Sequence, residues 1–197
     1  MIHFLLIIGA YLLGSFPSGY LVGKWLGNKD IRNYGSGNTG ATNALRVLGP
    51  KVGFITFLLD FFKGAFPCFL ALYFHLPEWT LAFTMIAVSL GHCYSIFLGF
   101  SGGKAVATTC GIFFIMDYRM LVVFAIVFFI LVYTTGYVSL GSLTSSLSGA
   151  IFGLFFSPYG PWVKFAFLLL VAIIFYRHSS NIGRLLRGEE SSFKKKK

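Results

Sequence analysis

A chain of 197 residues carries 16 Lys and Arg against 6 Asp and Glu, a formal charge of +10, yet only 11% of its residues are charged, 56% are hydrophobic and the mean hydropathy is +0.78. That balance excludes an ordinary soluble domain and calls for membrane-length helices, of which about 20 residues cross a hydrocarbon core about 30 Å thick. The charge excess could suit nucleic acid, but 24 phenylalanines spread through long apolar runs do not make an aromatic-lined basic groove. No nucleic-acid partner is expected, and an anionic lipid bilayer or a phosphorylated substrate is the better partner class.

The first apolar run covers residues 2–23. It opens Met1-Ile2-His3 without the basic region of a cleaved signal, so it is expected to remain as a span. A run of small residues follows, Gly35-Ser36-Gly37-Asn38-Thr39-Gly40-Ala41-Thr42-Asn43, flanked by Lys24, Lys29 and Arg32 before it and by Arg46 and Lys51 after it. Its glycines permit positive φ and close ligand approach, while Ser36, Asn38, Thr42 and Asn43 offer short hydrogen-bonding arms. Such a loop suits an anion, most simply phosphate, beside a membrane.

Apolar runs at 52–74 and 80–100 come next. Asp60 and Lys63 stand at i and i+3 in the first of these, where a mutually neutralising structural pair is expected. His92 lies near the end of the second. Gly99-Phe100-Ser101-Gly102-Gly103-Lys104 resembles a phosphate loop, but only three residues separate Gly99 from Gly103 and Ala105 follows the lysine, whereas a nucleotide-binding P-loop needs four and then Ser or Thr. Its physical content survives: close backbone approach, a helix start with free N–H groups, and a point charge on Lys104.

Runs at 105–116 and 120–135 are separated by Asp117, Tyr118 and Arg119. One continuous helix would place two charges among apolar residues at about 2.5 to 3.5 kcal/mol each, so a reversal is expected there. The last runs are 138–156 and 162–176, followed by Arg177, His178 and, on the same helical face, Asn181. A basic tail covers 188–197, in which Lys194 to Lys197 would each gain about 1 kcal/mol at an anionic leaflet and serve mainly as an anchor. Cys68, Cys93 and Cys110 sit in apolar runs without metal-site spacing and read as core residues.

The expected fold is an all-α integral membrane protein, one polytopic domain over 1–197 with seven transmembrane helices. Sorting the positive charges places the N-terminus out and the C-terminus in, with interfacial loops on the cytoplasmic face. This parity brings four polar segments, 35–46, 99–104, 137–142 and 177–181, to one face, and leaves 75–79, 117–119 and 157–161 as short turns at the other. The chain has no G-x-S-x-G and no H-E-x-x-H, and none of its four histidines has Asp five residues later. With six carboxylates in all, a two-metal site is not expected, and neither metal nor cofactor is assigned.

Gly14-Ser15-Phe16-Pro17-Ser18-Gly19, the 35–43 run with Arg46, the block from Gly91-His92 to Thr108 with Gly102-Gly103-Lys104, and Arg177-His178-Ser179-Ser180-Asn181 together closely resemble the PlsY family, bacterial acyl-phosphate:glycerol-3-phosphate acyltransferases. Thr39 stands where the family usually has proline, and Ala105 where glycine is frequent. The resemblance implies transfer of a fatty acyl group from acyl phosphate to the 1-hydroxyl of glycerol 3-phosphate, by a monomer in the bacterial inner membrane with its site facing the cytoplasm. It implies Ser36, Lys104, His178 and Asn181 as catalytic residues, and these with Arg46 as holders of glycerol 3-phosphate. Gly37, Asn38, Gly40, Thr42, Gly102, Gly103, Lys104 and Ser142 would cradle the acyl phosphate. A donor phosphate oxygen is the expected proton acceptor, with His178 or His92 as the competing base. A phosphate or organophosphate transporter is the alternative function, although its site should lie at the midplane between repeats.

Overall fold

Pro17 produces the first departure from a simple span. In the computed structural model, which describes residues 1–194, the initial apolar run is two helices, α1 (Ile2–Ser15) and α2 (Ser18–Gly27), interrupted at Phe16 and Pro17. Proline has no N–H to give the Leu13 carbonyl and holds Phe16 out of the helical region, at ψ 120°, so the Phe16 carbonyl leaves the ladder and accepts from Ser18 N at 3.0 Å and Lys63 Nζ at 3.0 Å. The helices that follow are α3 (Ala41–Leu48), α4 (Pro50–Tyr73), α5 (Glu78–Cys93), α6 (Val106–Met116), α7 (Tyr118–Thr135), α8 (Val138–Phe156), α9 (Pro161–Arg177) and α10 (Ser179–Leu186). Among the described residues the sole extended pairing is an isolated antiparallel bridge between Ser95 and Ser101. The basic tail is described only as far as Lys194; Lys195 to Lys197 lie outside the described residues.

The membrane-type, all-helical architecture follows from these elements. Four helical stretches are long and apolar enough to cross a bilayer, Ile2–Gly27, Pro50–Tyr73, Tyr118–Thr135 and Val138–Phe156, and α9 with α10 makes a fifth if the pair, bent by 61°, is one span. The run at 80–100 is not one helix throughout: α5 stops at Cys93, and a 3-10 turn, Ile96–Leu98, follows. With 16 and 11 residues, α5 and α6 measure about 24 and 16 Å at 1.5 Å per residue, short of the roughly 30 Å hydrocarbon core. The break expected at Asp117 is present, and its carboxylate caps α7 by accepting from Arg119 N at 2.9 Å.

Packing relies on close backbone approach between helices, as lipid supplies no hydrophobic drive for helix association. On α4 and α6, Gly64 abuts the Thr108 carbonyl and Gly111 abuts the Phe61 carbonyl. Gly14 and Gly91 make the same kind of contact between α1 and α5, against the Val88 and Tyr11 carbonyls. Larger side chains, notably Phe113, Phe167, Met85 and Met120, fill the interior, with Phe113 and Phe167 edge to face at 6.0 Å. Gly111→Val would drive a branched side chain into backbone that cannot swing away. We expect a loss of about 3 kcal/mol or of the folded form, read as thermal melting in detergent, and an unchanged melting temperature would contradict this contact.

The two ends of the bundle differ in chemistry. At one end short turns are tied together: Gly160 N donates to Glu78, Thr80 Oγ1 pairs with His3 Nδ1 at 3.0 Å, and Arg119 pairs with Asp117 at 2.7 Å. At the other end lie the 35–46 loop, the Gly102 to Lys104 segment, the start of α8, and the α9–α10 bend.

Candidate active site

The first loop owes its shape to Asn43 at the start of α3. Its amide nitrogen donates to the carbonyls of Ile31 (2.9 Å), Tyr34 (3.1 Å) and Asn38 (2.9 Å), and its Oδ1 accepts from Ser36 N at 2.9 Å. Asn43 is 2% exposed, so its polar atoms go to folding the loop rather than to a ligand. Gly35 has φ +62° and its α-carbon lies against Asn43 Oδ1, a place and a conformation that admit only glycine. Asn38 Oδ1 accepts from Gly40 N at 2.8 Å, so that N–H, expected to face acyl phosphate, is already engaged. Ser36, Thr42 and Arg46 stay exposed toward the mouth.

Thr39 is 8% exposed, its carbonyl packs on Gly19 of α2, and its N–H donates no hydrogen bond among the described residues. Proline at this position therefore sacrifices no bond. Thr39→Pro is expected to keep activity within about threefold and to raise stability by about 0.5 kcal/mol in thermal melting. A large activity loss would assign a role to the hydroxyl.

The second loop is held flat between two side chains. Gly103 N donates to the His92 carbonyl at 3.0 Å, and the Gly103 α-carbon faces the His92 imidazole so closely that no side chain fits. From the other side Arg177 donates to the carbonyls of Gly102 (3.0 Å) and Gly103 (3.1 Å) while stacking over Tyr94 at 5.2 Å. Ala105 then takes the left-handed conformation, φ +59°, before α6 begins, which gives a physical reason for glycine at this position in the resembling family.

Lys104 emerges from this clamp and its Nζ donates to Asn181 Oδ1. Asn181 Nδ2 donates to Glu190 Oε1 at 2.6 Å, and Arg184 Nε donates to Glu190 Oε2 at 2.7 Å. Burial, opposed by Glu190 and reinforced by Arg184, Arg177 and Arg46, brings the Lys104 pKa down to about 8. At the α9–α10 bend, His178 is 3% exposed and its Nδ1 lies 2.8 Å from the Ile174 carbonyl. That contact suits an Nδ1–H donor and leaves Nε2 as an acceptor. Burial, with Lys104 nearby, pushes its pKa down to about 4, so the ring is neutral near pH 7 and a weak base.

These parts surround one cavity of about 1240 Å³. Ser36, Gly37, Asn38, Gly40, Thr42, Arg46, His92, Gly102, Lys104, Ser142, His178 and Asn181 all line it; Gly103 does not, because its carbonyl is turned to Arg177 and its α-carbon to His92. The cavity continues into an apolar section between Phe57, Ala107, Cys110, Phe124 and Phe128. Sequence reading missed Glu190, Arg184 and Ser139 on its wall. Two histidines offered as bases are placed differently, since His92 lies under the second loop, 6% exposed, while His178 stands beside Lys104's partner Asn181.

Fold and site together define a polytopic membrane protein with a cationic, donor-rich pocket at one end of its helices that opens into an apolar cleft. Residues 4–188 match the glycerol-3-phosphate acyltransferase family, and the chain belongs to that family, the PlsY proteins. A glycerol-3-phosphate acyltransferase of Aquifex aeolicus is 44% identical, with 95% of this chain and 97% of that protein covered. One from Macrococcus caseolyticus is 42% identical over 98% of both chains. The crystal structure of PlsY, an integral membrane glycerol 3-phosphate acyltransferase in its glycerol 3-phosphate form, superposes with a TM-score of 0.94 at 41% identity, covering 98% of this chain and 96% of that one. The lysophosphatidic acid form gives 0.92 at 40% identity with the same coverage.

Proposed function

We propose that this protein transfers a fatty acyl group from acyl phosphate to the 1-hydroxyl of glycerol 3-phosphate, releasing lysophosphatidic acid and inorganic phosphate. The observation that carries this reading is the continuity of the cavity: Lys104, Arg46 and the loop donors lie at its mouth, and an apolar cleft between α4, α6 and α7 leads away from them. A long acyl chain requires the cleft, and two phosphates require the mouth. Gathering of the polar loops at one end, rather than at a midplane between repeats, favours a transferase over an organophosphate carrier.

Acyl phosphate is a mixed anhydride with a good leaving group, so the protein's main tasks are alignment and charge stabilisation. The glycerol hydroxyl oxygen bonds to the acyl carbonyl carbon, the bond from that carbon to the phosphate oxygen breaks, and phosphate leaves. Ser36, Arg46, Lys104, His178 and Asn181 hold glycerol 3-phosphate, with His178 Nε2 available to orient a hydroxyl. Gly37, Asn38, Thr42, Gly102 and Ser142 flank the donor phosphate, and Lys104 stabilises developing charge. The alcohol proton passes to a phosphate oxygen of the donor, since His178 is too weak a base at neutral pH. No step draws on a metal or cofactor.

In the membrane this reading goes with seven spans, N-terminus out and C-terminus in, in a monomer of the bacterial inner membrane. The site then faces the cytoplasm. A C-terminal reporter active only in the periplasm would refute that orientation. Purified protein given acyl phosphate and glycerol 3-phosphate, with chelator and without coenzyme A, is expected to form lysophosphatidic acid; no product would overturn the function. Loss of the acid limb of the pH–rate profile on replacing His178 with Gln would instead make histidine the base.

A further inference from the structure

Three ionisable side chains inside the bundle are assigned no step of the proposed transfer, although Asp60 and His92 reach the inner wall of the cavity: Asp60 and Lys63 on α4 and His92 near the end of α5, which are 2%, 6% and 6% exposed. Ionisable groups at membrane depth are costly, and desolvation makes a buried ion pair a poor source of stability. What they hold accounts for them better. Lys63 Nζ sits 2.8 Å from Asp60 Oδ1 and donates to the Phe16 carbonyl at 3.0 Å, at the break that aims α2. Gly19, one turn along α2, lies against the Thr39 carbonyl of the first loop. On the other side, His92 Nδ1 is 3.5 Å from Asp60 Oδ1, and the His92 ring and carbonyl form the bed on which Gly102 and Gly103 lie.

Both phosphate-facing loops thus rest on one charged hub with Asp60 at its centre. We propose that Asp60, Lys63 and His92 form a positioning cluster that sets the separation of the two loops and so aligns the hydroxyl held by one with the acyl phosphate held by the other. The cluster acts through the loops, and the proposal rests on the two-substrate transfer described under Proposed function. Each loop keeps its own phosphate donors when the hub is altered, whereas a displacement of about 1 Å between bound reactants is enough to slow their reaction. The signature is therefore a loss in kcat with little change in either KM.

The test compares the full chain in detergent with the charge-neutral pair Asp60→Asn/Lys63→Met, with His92→Asn and with Lys63→Arg. Each is read by lysophosphatidic acid formation, by melting temperature, and by the distance between spin labels at Asn33→Cys and Phe100→Cys, both exposed positions beside the two loops. The native cysteines are buried. For the neutral pair we expect a melting temperature within about 5 °C of the parent, kcat reduced at least about tenfold, each KM changed less than about threefold, and a shifted or broadened label distance. Lys63→Arg should recover most of kcat. Parental kcat, a kcat loss with unmoved labels, or a loss confined to one substrate's KM would each overturn the proposal. Should the neutral pair not fold, His92→Asn, which leaves the ion pair intact, carries the same expectations. If the parent protein itself makes no lysophosphatidic acid, the transfer reading fails, and the label distances alone decide the hub.

Discussion

Lys104→Met is expected to lower kcat/KM for glycerol 3-phosphate by about 10³-fold with the fold intact. Methionine keeps the packing of the stem and deletes only the ammonium, which is half-buried between the second loop and Asn181 and faces the cavity mouth. A charge withdrawn from water acts strongly on phosphate oxygens, so its removal leaves dianionic substrates with the more exposed Arg46. Lys104→Arg should recover activity only in part, because a planar guanidinium cannot replace a point donor on Asn181 Oδ1. Retention of more than a tenth of the activity by Lys104→Met would remove the residue from the machinery.

The same lysine predicts the alkaline side of the pH profile. Its pKa of about 8 is set by burial, partly offset by Glu190, and in the transfer proposed above the charged form is the one that would hold phosphate. As pH rises through about 8 the ammonium is lost, so kcat/KM, which reports the free enzyme, should fall there. In Lys104→Arg this limb should move out of the accessible range, since guanidinium does not titrate.

Much of this site was legible because its residues break the local rule. The small polar run with Arg46, the Gly102 to Lys104 segment and His178 with Asn181 are conspicuous in a chain that is 56% hydrophobic, and all but Gly103 of the residues assigned to the site line one cavity. What hydropathy could not reveal is where a backbone ladder stops. The run at 80–100 carries no Asp, Glu, Lys or Arg, yet Tyr94 turns out of the helix at φ −132°, and hydropathy across the run at 2–23 does not show the break at Pro17 or the continuation of helix to Gly27. Nor could spacing show how polar atoms are shared. Asn43 looks like Asn38 in sequence, but only the folded loop brings three carbonyls around its amide. Asp60 and Lys63 were legible as a pair; their links to the Phe16 carbonyl and to His92 depend on helices distant in sequence.

Glu190 is the residue the sequence concealed most fully, since a carboxylate beside a basic tail looks like solvent-exposed charge. In the folded chain the segment after α10 turns back through Gly188, at φ +70°, and carries Glu190 into the site wall. Burial works against its charge, but hydrogen bonds from Asn181 and Arg184 hold its pKa below the usual carboxylate value, so it is ionised through the neutral range. The result is a relay in which Arg184 fixes Glu190, Glu190 fixes the Asn181 amide, and Asn181 turns its oxygen to Lys104. Glu190→Leu, which leaves Arg184 Nε and Asn181 Nδ2 without their carboxylate acceptor, should reduce kcat/KM about 100-fold. Glu190→Gln keeps the shape and loses the charge, so its cost should be nearer tenfold and its effect on pH more telling. Glu190 favours the charged form of Lys104; without it the lysine deprotonates more easily, and the alkaline limb of kcat/KM should move below about 8. Measured in one buffer series, Glu190→Gln and Lys104→Arg should shift that limb in opposite directions. An unmoved limb in Glu190→Gln with activity intact would show that the carboxylate does not reach the lysine.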